Sequence, residues 1–220
     1  MDLRLTSGSA GPVAGVTLSA PADVIGFYGA LLGWGAAPGG VVLDSEGAPI
    51  AALVGGTAGW SPVFDGAAEQ VTAAGGSVSG THATDPGGVT FRIGAPPVPL
   101  AAPGPGRPVW FEHMSLDAPA ADRFYSAVFG WGVAPAGPEY SLFTNGERPF
   151  AGRLALVPEL AAAVGERWMI YVAHGDVDEG AATAARLGGT VVVPPRDTPT
   201  GRLASVTDPS GAVFTLLTPA

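Results

Sequence analysis

The stretch FYSAVFGWGVAP at positions 124–135 has an earlier counterpart, FYGALLGWGAAP, at positions 27–38. Eight of the twelve positions are identical, at a constant offset of 97 residues. A period of about a hundred residues is too long for a solenoid repeat and indicates two copies of one small domain. In the later copy Phe124 and Val128 stand four positions apart before Gly130, which predicts a helix with one apolar face that ends at the glycine.

The composition excludes several classes of protein. The chain has 220 residues, of which 47% are hydrophobic, with a net charge of −9 and no cysteine. The acidic charge, without any Lys/Arg cluster, argues against a general nucleic-acid or anionic-membrane surface. The absence of cysteine excludes disulfides, a thiolate nucleophile and a thiolate metal site. No long uncharged apolar run predicts a membrane span, and the initial MDLRLTSGSAGPVAG lacks the pattern of a secretory signal, so we predict a cytoplasmic protein.

The order of predicted elements is the same in both halves. Each half contains strand, helix and further strands, twice over, with the turns DPGG at 85–88 and DPSG at 208–211 before the last strands. This predicts an α+β fold of two domains, residues 1–94 and 109–220, each made of paired βαβββ modules that form a cupped mixed sheet with helices outside. Residues 95–108, APPVPLAAPGPGRP, are rich in proline and predict a linker that spaces the domains rather than folding.

Four stretches carry a resemblance to a known superfamily: FYSAVFGW, the opening strand of the second half (Val109–Tyr125), the strand-to-helix run Trp168–Gly189, and the turn and strand Asp208–Leu217. With them the chain resembles tandem two-domain glyoxalase-like proteins of the vicinal oxygen chelate superfamily, which also contains bleomycin-resistance proteins and extradiol dioxygenases. The first half keeps FYGALLGW and DPGGVTFRI but is shorter. The resemblance implies the fold, whereas the activity must be argued from the site, because this fold hosts isomerases, dioxygenases, thiol transferases and drug-binding proteins.

The resemblance also implies where metal ligands would stand. Superfamily enzymes hold a divalent ion with His, Glu or Gln at fixed distances from the aspartates that begin the helices and the last turn. Those positions are Trp110, Met169 and Thr215 in the second domain, and Val13 and Arg92 in the first. None is a plausible ligand for a divalent ion, so we predict no metal and no other cofactor.

The resemblance implies that these ligand positions face the cup, and alternation along each strand then adds further lining residues, since residues two apart share a face. The predicted lining residues are Trp110, Glu112, Met114, Tyr140, Met169, Tyr171 and Thr215, and Arg92 lines the cup of the first domain. This surface of aromatic rings and thioethers around one carboxylate suits a flat, largely apolar ligand.

Glu112 is the first candidate for catalysis, because a carboxylate in an apolar cup has a raised pKa and can act as general acid or base. The alternative is that Glu112 hydrogen-bonds a neighbour and only shapes its strand. His113 is a weaker catalytic candidate, on the opposite strand face by alternation, and its alternative is a packing role. Trp110 either stacks on a ligand or fills the vacated metal position. Arg92 either binds an anionic ligand or pairs with a nearby acid.

Three functions remain open. The first hypothesis is metal-independent binding of a hydrophobic or aromatic small molecule, as in sequestration of an antibiotic or secondary metabolite. The second is a metal-independent isomerase, cyclase or lyase of natural-product metabolism with Glu112 as general acid or base. A metal-dependent glyoxalase or dioxygenase is disfavoured by the residues at the ligand positions. The expected partner is a small molecule, not nucleic acid or a membrane, and both a monomer and a homodimer are compatible with the sequence.

Overall fold

The computed structural model describes residues 12–220, which form two eight-stranded mixed sheets, one from each half of the chain. The first sheet consists of β1 (Val13–Ser19), β2 (Gly35–Ala37), β3 (Val41–Leu43), β4 (Pro49–Val54), β5 (Gly59–Phe64), β6 (Ser77–Ser79), β7 (His82–Thr84) and β8 (Thr90–Ile93). The second consists of β9 (Pro108–Ser115), β10 (Gly132–Pro135), β11 (Tyr140–Asn145), β12 (Arg148–Ala155), β13 (Arg167–Ala173), β14 (Val191–Thr198), β15 (Gly201–Thr207) and β16 (Val213–Pro219). The α-helices are α1 (Ile25–Leu32), α2 (Ala68–Ala73), α3 (Ala118–Phe129), α4 (Pro158–Val164) and α5 (Val177–Arg186).

The two sheets have the same topology. Their strand orders are β2-β3-β4-β1-β5-β8-β7-β6 and β10-β11-β12-β9-β13-β16-β15-β14. Each sheet is two βαβββ modules side by side, joined by an antiparallel pair of first strands, β1 with β5 and β9 with β13. Within each module the first strand pairs in parallel with the last. The predicted α+β fold of paired βαβββ modules is therefore confirmed.

The repeated stretch that begins at Phe124 forms the second half of helix α3, the turn after it and strand β10. The Asp117 side chain accepts a hydrogen bond from the Ala120 backbone N–H at 3.0 Å, which caps the first turn. Gly130 ends the helix with a left-handed backbone, φ 70°, a conformation that glycine adopts without steric cost. The end at Gly130 agrees with the sequence prediction, and the apolar face that includes Phe124 is buried.

The main hydrophobic core lies between the two sheets and contains residues of both halves. Phe64 of the first sheet packs edge-on against Trp168 of the second, with ring centroids 5.2 Å apart. Phe27 of α1 meets Phe214 of β16 at 6.4 Å in the same way. The halves therefore share one aromatic core rather than burying two separate ones.

Two crossed hydrogen bonds connect the halves inside this core. Tyr28 donates to Asp208 of the second half at 3.0 Å, and Tyr125 donates to Asp85 of the first half at 3.3 Å. Each tyrosine oxygen also accepts an indole N–H, from Trp60 at 3.2 Å and Trp168 at 2.8 Å respectively. The other carboxylate oxygen of each aspartate accepts backbone N–H groups of its own turn. Each aspartate thus orders its turn and connects it to a helix of the other half.

Some elements were not predicted from the sequence. Strands β7 and β10 are only three and four residues long, too short to show alternation. Helix α4, with the sequence PELAAAV, has no side-chain cap at its N-terminus. Among residues 12–220 no helix has the length and apolar character needed to cross a membrane. Most of the initial stretch examined for a secretory signal, and the first eleven residues of the predicted first domain, lie outside the described residues.

Candidate functional site

The concave face of the second sheet carries its own hydrophobic cluster, separate from the core shared by the halves. We call this concave surface the second cup. Along β13, Met169 and Tyr171 point into it, whereas Trp168 and Ile170 point into the shared core. The buried members of the cluster include Met114, Leu156, Met169, Leu203, Val213 and Leu217. The alternation that the sequence predicts for β13 is therefore present.

Strand register brings the predicted lining residues into adjacent rows across the sheet. Tyr171 pairs with Trp110 on one side and with Thr215 on the other. The next row joins Glu112 to Met169. Thr215 and Ser205 of β15 are paired, and their hydroxyl oxygens lie 2.9 Å apart. The structure thus gathers these predicted residues on one face.

Glu112 stands in the middle of this face and is only 6% exposed. Tyr171 donates a hydrogen bond from its hydroxyl to Glu112 Oε1 at 2.8 Å. The Tyr140 hydroxyl lies beside the same carboxylate, and it accepts a hydrogen bond from the Trp110 indole N–H at 3.3 Å. The polar groups of the cup therefore form one connected set: indole, phenol, carboxylate and second phenol.

The electrostatics of this set follow from burial. Burial raises the pKa of Glu112, and hydrogen bonding from Tyr171 and Tyr140 only partly offsets the effect. Burial, together with the adjacent carboxylate, raises the pKa of both tyrosines, so their hydroxyls remain protonated donors. A carboxyl group with raised proton affinity between two phenols can anchor a polar ligand atom or move a proton.

Gly152 of β12, which the sequence did not single out, shapes the environment of this carboxylate. It pairs with Glu112 in the parallel register of β12 and β9. A Cβ at this position would collide with the Tyr140 hydroxyl oxygen and would lie 3.0 Å from Glu112 Oε2. The missing side chain is therefore what lets Tyr140 reach the carboxylate. The only signal in the sequence is a small residue in a strand of larger ones.

Helix α4 closes one end of the second cup. Val164 is buried in the apolar cluster, and Leu160 and Ala161 pack against it. Trp110 and Leu154 are also only partly buried, which leaves an apolar surface available to a ligand. Helix α4 has no equivalent in the first half, where β4 ends at Val54 and β5 begins at Gly59.

The side chains of the second cup do not fit a divalent metal ion. The positions implied by the superfamily hold the indole of Trp110, the thioether of Met169 and the hydroxyl of Thr215, which is already within hydrogen-bond distance of Ser205. Across residues 12–220, no three side chains of His, Asp or Glu are grouped as a metal would need. A protein site for zinc or a similar ion takes about three such ligands, and Glu112 is the only carboxylate among the gathered lining residues.

His113, the weaker catalytic candidate, lies outside the second cup. It is fully buried on the opposite face of β9, where its Nε2 is 2.9 Å from Asp85 Oδ2. Its ring packs edge-on against Tyr125 and Trp168 at 5.0 and 5.3 Å. Because neighbouring residues of a strand face opposite sides, His113 belongs to the contact between the halves and cannot reach a ligand beside Glu112.

The concave face of the first sheet is occupied by the chain itself. A Cβ on Gly15 of β1 would lie 2.5 Å from both the Pro96 Cβ and the Val98 carbonyl oxygen. The Leu100 N–H donates to the Ala14 carbonyl at 2.8 Å, and Val98 is only 4% exposed. The proline-rich segment predicted as a mere spacer therefore packs into the first sheet, because its regularly spaced apolar residues meet a position without a side chain.

Arg92 lies apart from the other predicted ligand-binding residues, which belong to the second sheet. Arg92 lies on β8 of the first sheet and donates a hydrogen bond to the Thr81 hydroxyl at 3.1 Å. Gly15 stands 97 positions before Glu112, so the first half lacks the central carboxylate. The polar set of the second cup therefore has no counterpart beside Arg92.

Paired βαβββ modules, duplicated and with a cup on the second sheet, define a glyoxalase-like protein. The profile of the family described as "Glyoxalase-like domain" matches residues 110–217. A protein described as putative glyoxylase CFP32, from Mycobacterium bovis, is 30% identical over 238 aligned residues that cover 88% of each chain. The chain thus belongs to the glyoxalase-like family of the vicinal oxygen chelate superfamily, which confirms the resemblance found in the sequence.

The chain is also similar to two other proteins. The anthracycline biosynthesis protein DnrV of Streptomyces peucetius is 34% identical over 141 residues, which cover 60% of this chain and 50% of that protein. The Mn(II)-bound glyoxalase from Novosphingobium aromaticivorans has a TM-score of 0.54 at 14% identity, covering 94% of this chain and 81% of its own. The latter likeness is one of fold.

Proposed function

We propose that the second cup binds a hydrophobic, aromatic small molecule without a metal ion. The observation that carries this proposal is the buried carboxylate of Glu112, held beside two tyrosine hydroxyls in a largely apolar concave surface. Small-molecule sites are typically apolar concavities with a few polar groups that fix the orientation of the ligand. Glu112 and Tyr171 supply those polar groups here.

The apolar part of the cup favours a flat, aromatic ligand. Trp110 and Tyr140 are partly exposed at the concave face and offer ring surfaces for stacking. Met114 and Met169 belong to the apolar cluster against which Trp110 packs, and thioether side chains adapt to the outline of a ligand. The name of the relative DnrV refers to anthracyclines, which supports a polycyclic aromatic compound as the ligand class for this chain. Sequestration of an antibiotic or secondary metabolite is the corresponding role.

Catalysis in the same cup is the second candidate function. Its support is the raised pKa of Glu112, caused by burial, since a carboxylate with higher proton affinity is a better base. Glu112 would remove a proton from a carbon or oxygen of the bound compound, and the Tyr171 hydroxyl would stabilise the resulting charge. An isomerase, cyclase or lyase of natural-product metabolism would use such a step, which involves no metal.

A binding screen with matched variants tests both functions. Quenching of tryptophan fluorescence measures the binding of a panel of anthraquinones and related polycyclic compounds to the full chain. Trp110→Ala and Glu112→Gln are each expected to weaken binding about tenfold, equivalent to about 1.4 kcal/mol. Glu147→Gln, in an exposed turn, is the control and should bind like wild type. Binding that is unchanged in both cup variants, or absent from wild type, would refute the proposal.

Turnover separates binding from catalysis. Compounds that bind are incubated with the protein and analysed by mass spectrometry and absorbance for conversion. Loss of a general acid or base slows a reaction by about two orders of magnitude or more, so Glu112→Gln would show such a decrease if the protein is an enzyme. Tight binding of the panel with no conversion by wild type supports sequestration.

A further inference from the structure

Arg167, at the start of β13, is a cation of the second cup. It pairs with Met114 in the antiparallel register of β9 and β13, and Met114 belongs to the apolar cluster of the cup. Residues opposite each other in antiparallel strands share a face. The neighbouring residue, Trp168, points into the shared core. Arg167 therefore stands on the same face as Met169 and Tyr171.

The guanidinium of Arg167 makes no ion pair within residues 12–220, and its Nε is buried without a hydrogen-bond partner. Burial lowers the pKa of Arg167. Leaving a buried N–H unpaired is unfavourable, because the group loses its hydrogen bonds to water and gains none in the protein. The chain contains nineteen Asp and Glu against ten Arg and Lys, yet no carboxylate among residues 12–220 forms an ion pair with Arg167.

The backbone leaves room for this side chain. Gly165, directly after α4, has a φ of 70°, and a Cβ there would lie 2.9 Å from the Arg167 terminal nitrogen Nη2. The guanidinium thus lies between the C-terminal end of α4 and the concave face of the second sheet. A planar guanidinium with free N–H groups suits the two oxygens of a carboxylate.

We propose that the ligand of the second cup carries an acidic group, a carboxylate or acidic phenol, which Arg167 binds at the α4 end while Glu112 contacts a neutral polar atom further along the sheet. This inference rests on the proposed function and narrows its ligand class. A neutral aromatic compound would leave the Arg167 Nε unpaired, whereas an acidic one supplies the missing acceptor.

Two probes of the same shape test the proposal, anthraquinone-2-carboxylate and its neutral carboxamide. Fluorescence titration of the full chain is expected to show the acid binding at least about tenfold more tightly than the amide, the scale of one charge-assisted contact. Arg167→Gln should remove this preference while leaving the affinity for the amide within about twofold. Arg148→Gln, an exposed arginine of β12, is the control and should keep it.

The other possible outcomes distinguish failure of the acidic ligand, of the role of Arg167 and of the proposed function. Equal binding of acid and amide to wild type overturns the acidic ligand and leaves the proposed function standing. Arg196 of β14 is a second cation near the cup, since its charge acts on Glu112. Loss of the preference in Arg196→Gln instead of Arg167→Gln overturns the assignment to Arg167. Binding of neither probe to wild type counts against the proposed function itself and takes this inference with it. If Arg167→Gln changes the melting temperature but keeps the preference for the acid, Arg167 only stabilises the C-terminal end of α4 and the proposal fails.

Discussion

Gly15→Ala tests whether the proline-rich segment fills the first sheet. The added Cβ would lie 2.5 Å from the Pro96 Cβ and 2.5 Å from the Val98 carbonyl oxygen. Ordinary van der Waals contact for such atoms begins well above 3 Å, as packed protein interiors require. One of the two atoms belongs to the backbone, so a side-chain rotation cannot relieve the collision. Either β1 or the segment around Val98 must move.

The size of the effect follows from what the segment contributes where it lies. Val98 is 4% exposed, and complete burial of a valine side chain stabilises by roughly 1.5–3 kcal/mol. The hydrogen bond from the Leu100 N–H to the Ala14 carbonyl adds about 1 kcal/mol. Because local relaxation around position 15 keeps part of the Val98 burial and of this hydrogen bond, Gly15→Ala is expected to lower the free energy of unfolding by about 1–3 kcal/mol. In a chain of this length that lowers Tm by about 2–4 °C for each kcal/mol.

Thermal and urea unfolding, followed by tryptophan fluorescence and circular dichroism, measure this loss. Gly35→Ala on β2 is the matched control, because a Cβ there meets nothing within 4 Å. Val98→Ala should weaken the protein in the same direction without any collision, since it removes two buried methyl groups. If Gly15→Ala melts together with Gly35→Ala and wild type, the segment does not occupy the first sheet and the reasoning is wrong.

Three further predictions concern the second cup and the contact between the halves. Burial raises the pKa of Glu112 in the folded protein above its value in the unfolded chain. The free energy of unfolding therefore decreases as pH rises from the unfolded pKa to the folded one. Glu112→Gln should remove this decrease in urea unfolding measured between about pH 4 and 8. Tyr125→Phe removes a buried donor to Asp85 and should cost about 1–3 kcal/mol; unchanged urea unfolding would contradict this. Gly152→Ala should displace Tyr140 and weaken calorimetric binding of the anthraquinone probes about tenfold, at unchanged helix and sheet content.

The fold could be predicted because the two copies of the domain can be aligned with each other. The repeated stretch at Phe124 places equivalent elements in both halves, and the aspartate turns at Asp85 and Asp208 mark the approach to the last strands. Alternation within strands could not predict how the two halves pack on each other, because contacts between distant strands leave no local periodicity. The bond between His113 and Asp85 is of this kind.

The site was predictable in its strand residues and not in its surroundings. The ligand positions implied by the resemblance, extended by alternation along each strand, put Glu112 and Tyr171 on one face. The contributions of Gly152 and Arg167 depend on which strand lies beside which, and on helix α4, whose seven residues carry weak local signals. The occupation of the first sheet by Val98 was also hidden, since proline-rich composition predicts an extended path but not what that path touches.

Because of the crossed tyrosine–aspartate hydrogen bonds, each half depends on the other for a complete core. A fragment that begins near Pro108 would expose Trp168 and Tyr125 to water and would leave His113 without Asp85. Exposed apolar patches of that extent promote association. Each half expressed alone is therefore expected to aggregate, whereas the two halves expressed as separate chains should reassemble and be purified together as one complementing unit.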